Sequence, residues 1–123
     1  MADGKRPLVI IGQRMGAGSK IAAGVEAAGG SAHVIPGMLD DMKLGDVMHE
    51  MGADLGLSFC GSGGAGALTA QNKYGYKAKQ ALHTPAEFAK AVKDGFTAIG
   101  GSFQDNEEIG KAVVNAWKEL HGE

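Results

Sequence analysis

Five short apolar runs punctuate the chain: "RPLVIIG", "SAHVIP", "DLGLSFC", "YKAKQALH" and "FTAIGGS". Each is followed by a stretch of helical periodicity. The first is continuously apolar, as in strands buried on both faces. Strands that alternate with helices pair in parallel, because each helix carries the chain back to the start of the next strand. The expected fold is therefore α/β: a doubly wound, mostly parallel five-stranded sheet, flavodoxin-like, with three layers α/β/α. A length of 123 residues suits one domain with a single core, so residues 1–123 are read as one unit. The expected strand order is 2-1-3-4-5, which sets the ends of strands 1 and 3 side by side. "YKAKQALH" is the weak strand, placed near an edge by its lysines.

The helical segments carry their own start and stop signals. "GSKIAAGVEAAGG" spaces Ile21, Val25 and Ala28 for one face and stops at Gly-Gly. "LDDMKLGDVMHEMG" puts Leu44, Val47, Met48 and Met51 on one face, with acids in its first turn and Gly52 at its end. "GGAGALTAQNKYG" is a helix opened by glycines. "TPAEFAKAVKDG" has a capping box from Thr84 to Glu87 and Pro85 at the first helical position. "DNEEIGKAVVNAWKELHG" has Asp105 and Glu108 as cap signals and turns Ile109, Val113, Trp117 and Leu120 inward.

Glycine is the compositional outlier, with 21 residues of 123 against a usual ~7%. It comes without Pro/Ser repeats, which argues against disorder or a collagen-like chain. The formal charge of -2 implies no bulk attraction to nucleic acid or anionic lipid. One cysteine excludes an internal disulfide, and no CxxC is present for zinc. The N-terminal segment has a basic start but too short an apolar run for a signal peptide, and no stretch is long enough for a membrane span. The expectation is a cytoplasmic protein without direct membrane insertion.

Three strands run into glycine-rich loops: "GQRMGAGSK", "CGSGGAG" and "GGSF". In a parallel sheet all three lie on one rim, outside the carboxyl ends of the strands, where such folds bind ligands. Glycine lets a backbone approach a ligand closely, and the helix that follows points unpaired N–H groups at the same spot. The natural guest is a phosphate or carboxylate. The candidate ligand-binding residues are Gly12, Arg14, Gly16, Gly18, Ser19, Lys20, Cys60, Gly61, Ser62, Gly63, Gly64, Gly101 and Ser102. The competing reading is that these small residues permit tight helix–sheet packing or a subunit contact. Known phosphate motifs fit imperfectly. "GQRMGAGSK" places its serine before the lysine, unlike a Walker A loop. Gly61 to Gly66 match GxGxxG spacing, but on the third strand and without the acidic residue expected ~20 positions later. A cysteine-phosphatase loop needs an arginine where Gly66 stands.

Cys60 admits two readings. A thiol at a helix N-terminus is favoured as thiolate and can act as a nucleophile or phosphoryl acceptor. A lone cysteine beside Phe59 also reads as packing. His83, after strand 4, is a possible neighbour on the same rim.

"SFCGS", Ser58 to Ser62, in a glycine-rich chain of this length resembles the glycine-rich SFCGS family, a small bacterial family named for that pentapeptide. The resemblance extends to "GQRMGAGSK" and "NKYGY". It implies a setting beside membrane proteins and enzymes of sugar-acid or amino-sugar-acid breakdown, hence a cytosolic part of an uptake or catabolic system with membrane transport proteins as partners. "FCGSGGAGA" is also similar to the CGxGxxxS-type loops of phosphotransferase-system enzyme IIB proteins, which implies a phosphocysteine role for Cys60. The loop differs from theirs in following strand 3 instead of strand 1, with Thr69 lying farther on.

The other polar residues read as structural. His33 and His49 lack metal-ligand spacing, and His121 sits in a tail expected to fray. Tyr74 and Tyr76 are expected to cover the core edge. Lys73, Lys77 and Lys79 form a solvated edge cluster, with a docking surface as the alternative. No cofactor and no metal are expected, and neither is a nucleic-acid partner. The chain is expected to form a homo-oligomer, and three functions stay open: an anion-binding module for a phosphorylated or carboxylate metabolite, a phosphocarrier using Cys60, and a structural assembly subunit with no ligand. Whether the chain is an enzyme is left open.

Overall fold

In the computed structural model, residues 6–13, 18–36, 43–60 and 63–122 are described. The element order is β1 (Leu8–Gln13), α1 (Ser19–Ala27), β2 (Ser31–Val34), α2 (Leu44–Met51), β3 (Leu55–Phe59), α3 (Ala65–Tyr74), β4 (Ala78–Leu82), α4 (Pro85–Lys93), β5 (Ala98–Gly101) and α5 (Glu107–Leu120). The five strands form one sheet, and every pairing is parallel. The fold is α/β and flavodoxin-like.

The strand order is β2-β1-β3-β5-β4, not the expected 2-1-3-4-5. The reason lies in burial. All four residues of β5 are buried, whereas β4 exposes alternate residues, Lys79 among them. A strand that is apolar throughout belongs inside the sheet and a lysine-bearing one at its edge. As a consequence β1, β3 and β5, the strands with glycine-rich ends, are immediate neighbours.

Side-chain alternation divides the core. Val9, Ile11, Leu55, Leu57, Phe59 and Ile99 pack beneath Ile21 and Val25 of α1, Phe88 and Val92 of α4, and Ile109, Val113 and Trp117 of α5. Ile10 and Ala98 turn the other way, towards Leu44 and Met48 of α2 and Ala67 and Ala70 of α3. This split of helices is what right-handed crossovers produce for the observed order. Some glycines serve packing. A Cβ on Gly24 would run into the Glu107 carbonyl oxygen, and one on Gly110 into that of Ile21, so α1 and α5 touch backbone to backbone.

Several local expectations need correction. Met51 and Leu120 are 44% and 49% exposed; each stands in the last turn of its helix. His121 is not frayed: its ring stacks on Trp117 at 4.0 Å, and its Nδ1 lies 3.3 Å from the Trp117 carbonyl. The cap of α5 is Asn106, whose side chain accepts from the Glu108 N–H, while Asp105 is used elsewhere. The capping box of α4 is present as expected. Asp40 and Asp41, expected acids of the α2 first turn, lie outside the described residues; Asp46 is in that turn, binding Lys73 and the Tyr74 hydroxyl.

Candidate functional site at the carboxyl ends of β1, β3 and β5

Cys60 follows the last residue of β3. Its backbone N–H donates to the Gly101 carbonyl at 3.2 Å, so β3 and β5 stay paired up to their ends. Its Sγ accepts from the N–H groups of Gly64 and Ala65, both at 3.4 Å. These are the N-cap and first residue of α3, and two N–H donors at a helix N-terminus favour negative charge on sulfur. Burial opposes this, since the residue is only 1% exposed. The first donors of α3 thus converge on the thiol through two long contacts to a weak acceptor.

Gly63 and Gly64 make this possible. Their φ angles are +88° and +99°, a region in which a Cβ is strained. A Cβ on Gly64 would lie 2.5 Å from Gly100 Cα and 2.8 Å from the Ser58 carbonyl oxygen. The loop thus lies directly on the backbone of β5. On its outer side the Gly63 carbonyl accepts from the Ala81 N–H at 2.9 Å. Ala81, at a register shift between Lys79 and Leu82, has φ +66°, the one positive value outside glycine among the described residues. The strained edge strand and the cysteine loop are fastened together.

The N-terminus of α1 is differently filled. The Asp105 carboxylate accepts from Lys20 N–H at 3.1 Å and Ile21 N–H at 3.0 Å. An internal anion thus occupies the place at which the sequence suggested an external one. The Gln13 side chain, 3% exposed, donates to the Gln104 carbonyl at 2.8 Å, so the segment after β5 is bound to the end of β1. At the neighbouring α4, Glu87 accepts from the His83 and Thr84 N–H groups at 2.7 and 3.0 Å. Those two bonds hold its carboxyl below the usual carboxylate range.

Of the sequence-selected residues, Gly12, Gly18, Cys60, Gly64 and Gly101 are buried, Gly63 and Ser102 half-buried, and Ser19 and Lys20 exposed. Arg14, Gly16, Gly61 and Ser62 lie outside the described residues. Gly12, Cys60 and Gly101 belong to the three adjacent strand ends. Four residues with a part here were not selected: Gln13, Ser58, Ala81 and Asp105. Two had a signal, Gln13 and Ser58, as polar residues inside otherwise apolar strands. Lys77 and Lys79 instead sit over the Phe96 ring at 5.1 and 5.4 Å, and Tyr74 stacks on His49 at 4.6 Å. Among the described residues no group of three or more His, Cys, Asp or Glu is placed to hold a metal, and no helix is long and apolar enough to cross a membrane.

The family model for Glycine-rich SFCGS matches residues 8–120. The chain belongs to the glycine-rich SFCGS family. No curated protein matches it. Among solved structures, this SFCGS-family chain is similar to the type B ribose 5-phosphate isomerase of Trypanosoma brucei, with a TM-score of 0.68 and 16% identity over 92% of this chain and 85% of that one. It is similar to ribose-5-phosphate isomerase B of Giardia lamblia, with a TM-score of 0.62 and 14% identity over 93% and 94%. The enzyme of Mycoplasma genitalium, solved with bound ribulose-5-phosphate, gives a TM-score of 0.64 and 15% identity over 89% and 82%. At these identities the likeness shows a shared fold.

Proposed function

We propose that this SFCGS-family protein binds a small phosphorylated metabolite of the sugar or sugar-acid class on the rim formed by β1, β3 and β5, centred on the Gly63–Gly64 loop above Cys60. The observation that carries the reading is the pair of N–H groups on the Cys60 sulfur at the point where the three glycine-rich strand ends adjoin. Loops at the carboxyl ends of a parallel sheet are the usual ligand site of such folds. The similar structures include an isomerase solved with a sugar phosphate bound, which supports the choice of ligand class. Asp105 already accepts from the first N–H groups of α1, which supports assigning the ligand's charge to the β3–α3 side in this reading. This narrows the site relative to all three loops acting alike.

Thermal denaturation with ribose 5-phosphate, ribose and inorganic phosphate tests this. A ligand at a hundredfold excess over its dissociation constant stabilises the folded state by about 2.7 kcal/mol, so ribose 5-phosphate should raise Tm and ribose should not. No shift with any sugar phosphate or phosphorylated sugar acid refutes the reading. A second reading is favoured by the same two N–H groups: Cys60 as a phosphoryl acceptor, in an enzyme IIB-like phosphocarrier. Then a phosphohistidine donor labels the protein and Cys60→Ser abolishes the label. Under the binding reading, Cys60→Ser keeps the ligand-induced Tm shift and no label forms.

A further inference from the structure

Ser58 is the fourth of the five residues of β3, Leu55–Phe59, all of which are buried. It is 0% exposed, and its Oγ has no hydrogen-bond partner among the described residues. A buried hydroxyl without a partner is destabilising, and few native proteins keep one without a use for it. Leu57 and Phe59 face the core beneath α1, α4 and α5. Strand alternation therefore turns Ser58 to the opposite face, the side to which Cys60 also turns.

The surroundings of Ser58 are unusual in the same direction. Its register partners are Gly12 on β1 and Gly100 on β5, so neither neighbour puts a side chain beside the hydroxyl. Gly100 is covered by the Gly64 backbone, which brings the cysteine loop over this row. Farther out, within the register shift of β4 between Lys79 and Leu82, Gln80 Oε1 is a second buried polar atom without a partner among the described residues. Two unsatisfied polar atoms flank the strand on which the loop rests.

We propose that Ser58 is a ligand-contacting residue, whose hydroxyl hydrogen-bonds a sugar oxygen of the metabolite held above Cys60. The proposal rests on the phosphorylated-metabolite reading of the rim and adds to it a specificity contact within the pentapeptide. In the unliganded protein the hydroxyl is a liability, and in the complex it is satisfied.

The test compares wild type with Ser58→Ala and Ser58→Cys, measuring Tm without ligand and the Kd for ribose 5-phosphate by calorimetry. The expected result is a split. Ser58→Ala raises the unliganded Tm, yet weakens ribose 5-phosphate binding about tenfold, the loss of roughly one hydrogen bond. Ser58→Cys, close in size and a weaker donor, falls between. Unchanged Kd in both variants, with wild type binding normally, overturns the proposal and leaves the reading of the rim intact. Failure of wild type to bind any sugar phosphate overturns both.

Discussion

Replacing Gly64 with alanine tests how closely the cysteine loop rests on the sheet. The new Cβ would stand 2.5 Å from Gly100 Cα and 2.8 Å from the Ser58 carbonyl oxygen. Both are backbone atoms of adjacent central strands, so neither can move aside as a flexible side chain would. Two costs arise. At φ +99° an L-residue is strained by roughly 1–2 kcal/mol, and forcing an extra carbon into a packed interior costs typically about 1–3 kcal/mol. Together they come to about 2–5 kcal/mol, a large share of the ~5–15 kcal/mol that stabilises a typical domain. Gly75 is the internal control: its φ is +79°, and a Cβ there meets nothing within 4 Å among the described residues. Gly75→Ala carries the conformational cost alone, partly offset by ~0.4–1 kcal/mol from a stiffer unfolded chain. Urea unfolding of both variants should show Gly64→Ala more destabilised than Gly75→Ala by at least ~1 kcal/mol, with unchanged m-values. Equal destabilisation would refute the close approach of α3 to β5, and with it the geometry that aims two N–H groups at Cys60.

Other perturbations probe other parts of the structure. Gly24→Ala and Gly110→Ala sit inside helices, where alanine normally stabilises by ~1 kcal/mol; here each should destabilise, because the added carbon meets the backbone of the partner helix, and a gain in urea midpoint would contradict the α1–α5 contact. Asp105→Ala removes the acceptor of the Lys20 and Ile21 N–H groups and should cost about 0.5–2 kcal/mol, as loss of a helix cap does, read from the same unfolding curves. Glu87 has its pKa lowered in the fold by the His83 and Thr84 N–H groups. Its contribution is therefore present above the unfolded value of about 4.5 and is lost as pH falls through the lower folded value. Glu87→Gln should flatten the acid limb of a Tm-against-pH profile below that point, and an unaltered limb would show that the carboxylate makes no net contribution.

The elements were legible because local chemistry announces them. Thr84, Pro85 and Glu87 mark the start of α4, and glycines mark both ends of α3. The positions of β4 and β5 were not legible as an order, although the lysine in one and the unbroken burial of the other hold the information; sheet order is a competition between strands for the interior, not a property of either alone. The site was half visible. Glycines before helices pointed to the right rim, but glycine looks the same whether it makes room for a ligand, for another helix, as Gly24 and Gly110 do, or for a neighbouring strand, as Gly64 does. In the sequence Asp105 signals a cap for the nearest helix, because local partners are the ones a linear pattern displays; in the fold it caps α1 instead, 85 residues away from Lys20. Ser58 stands in view inside an apolar strand, and only its register with two glycines reveals that no described residue satisfies it.

Assigned amide NMR spectra recorded during titration with ribose 5-phosphate locate the ligand directly. The N–H signals of Gly63, Gly64 and Ala65 should shift first and furthest, together with that of Cys60. Signals around the cavity of about 250 Å³ at the opposite end of the sheet, lined by Asp54, Thr97, Trp117 and His121 among others, should stay in place. Shifts confined to that far cavity, or none at saturating ligand, would contradict a sugar-phosphate site above Cys60.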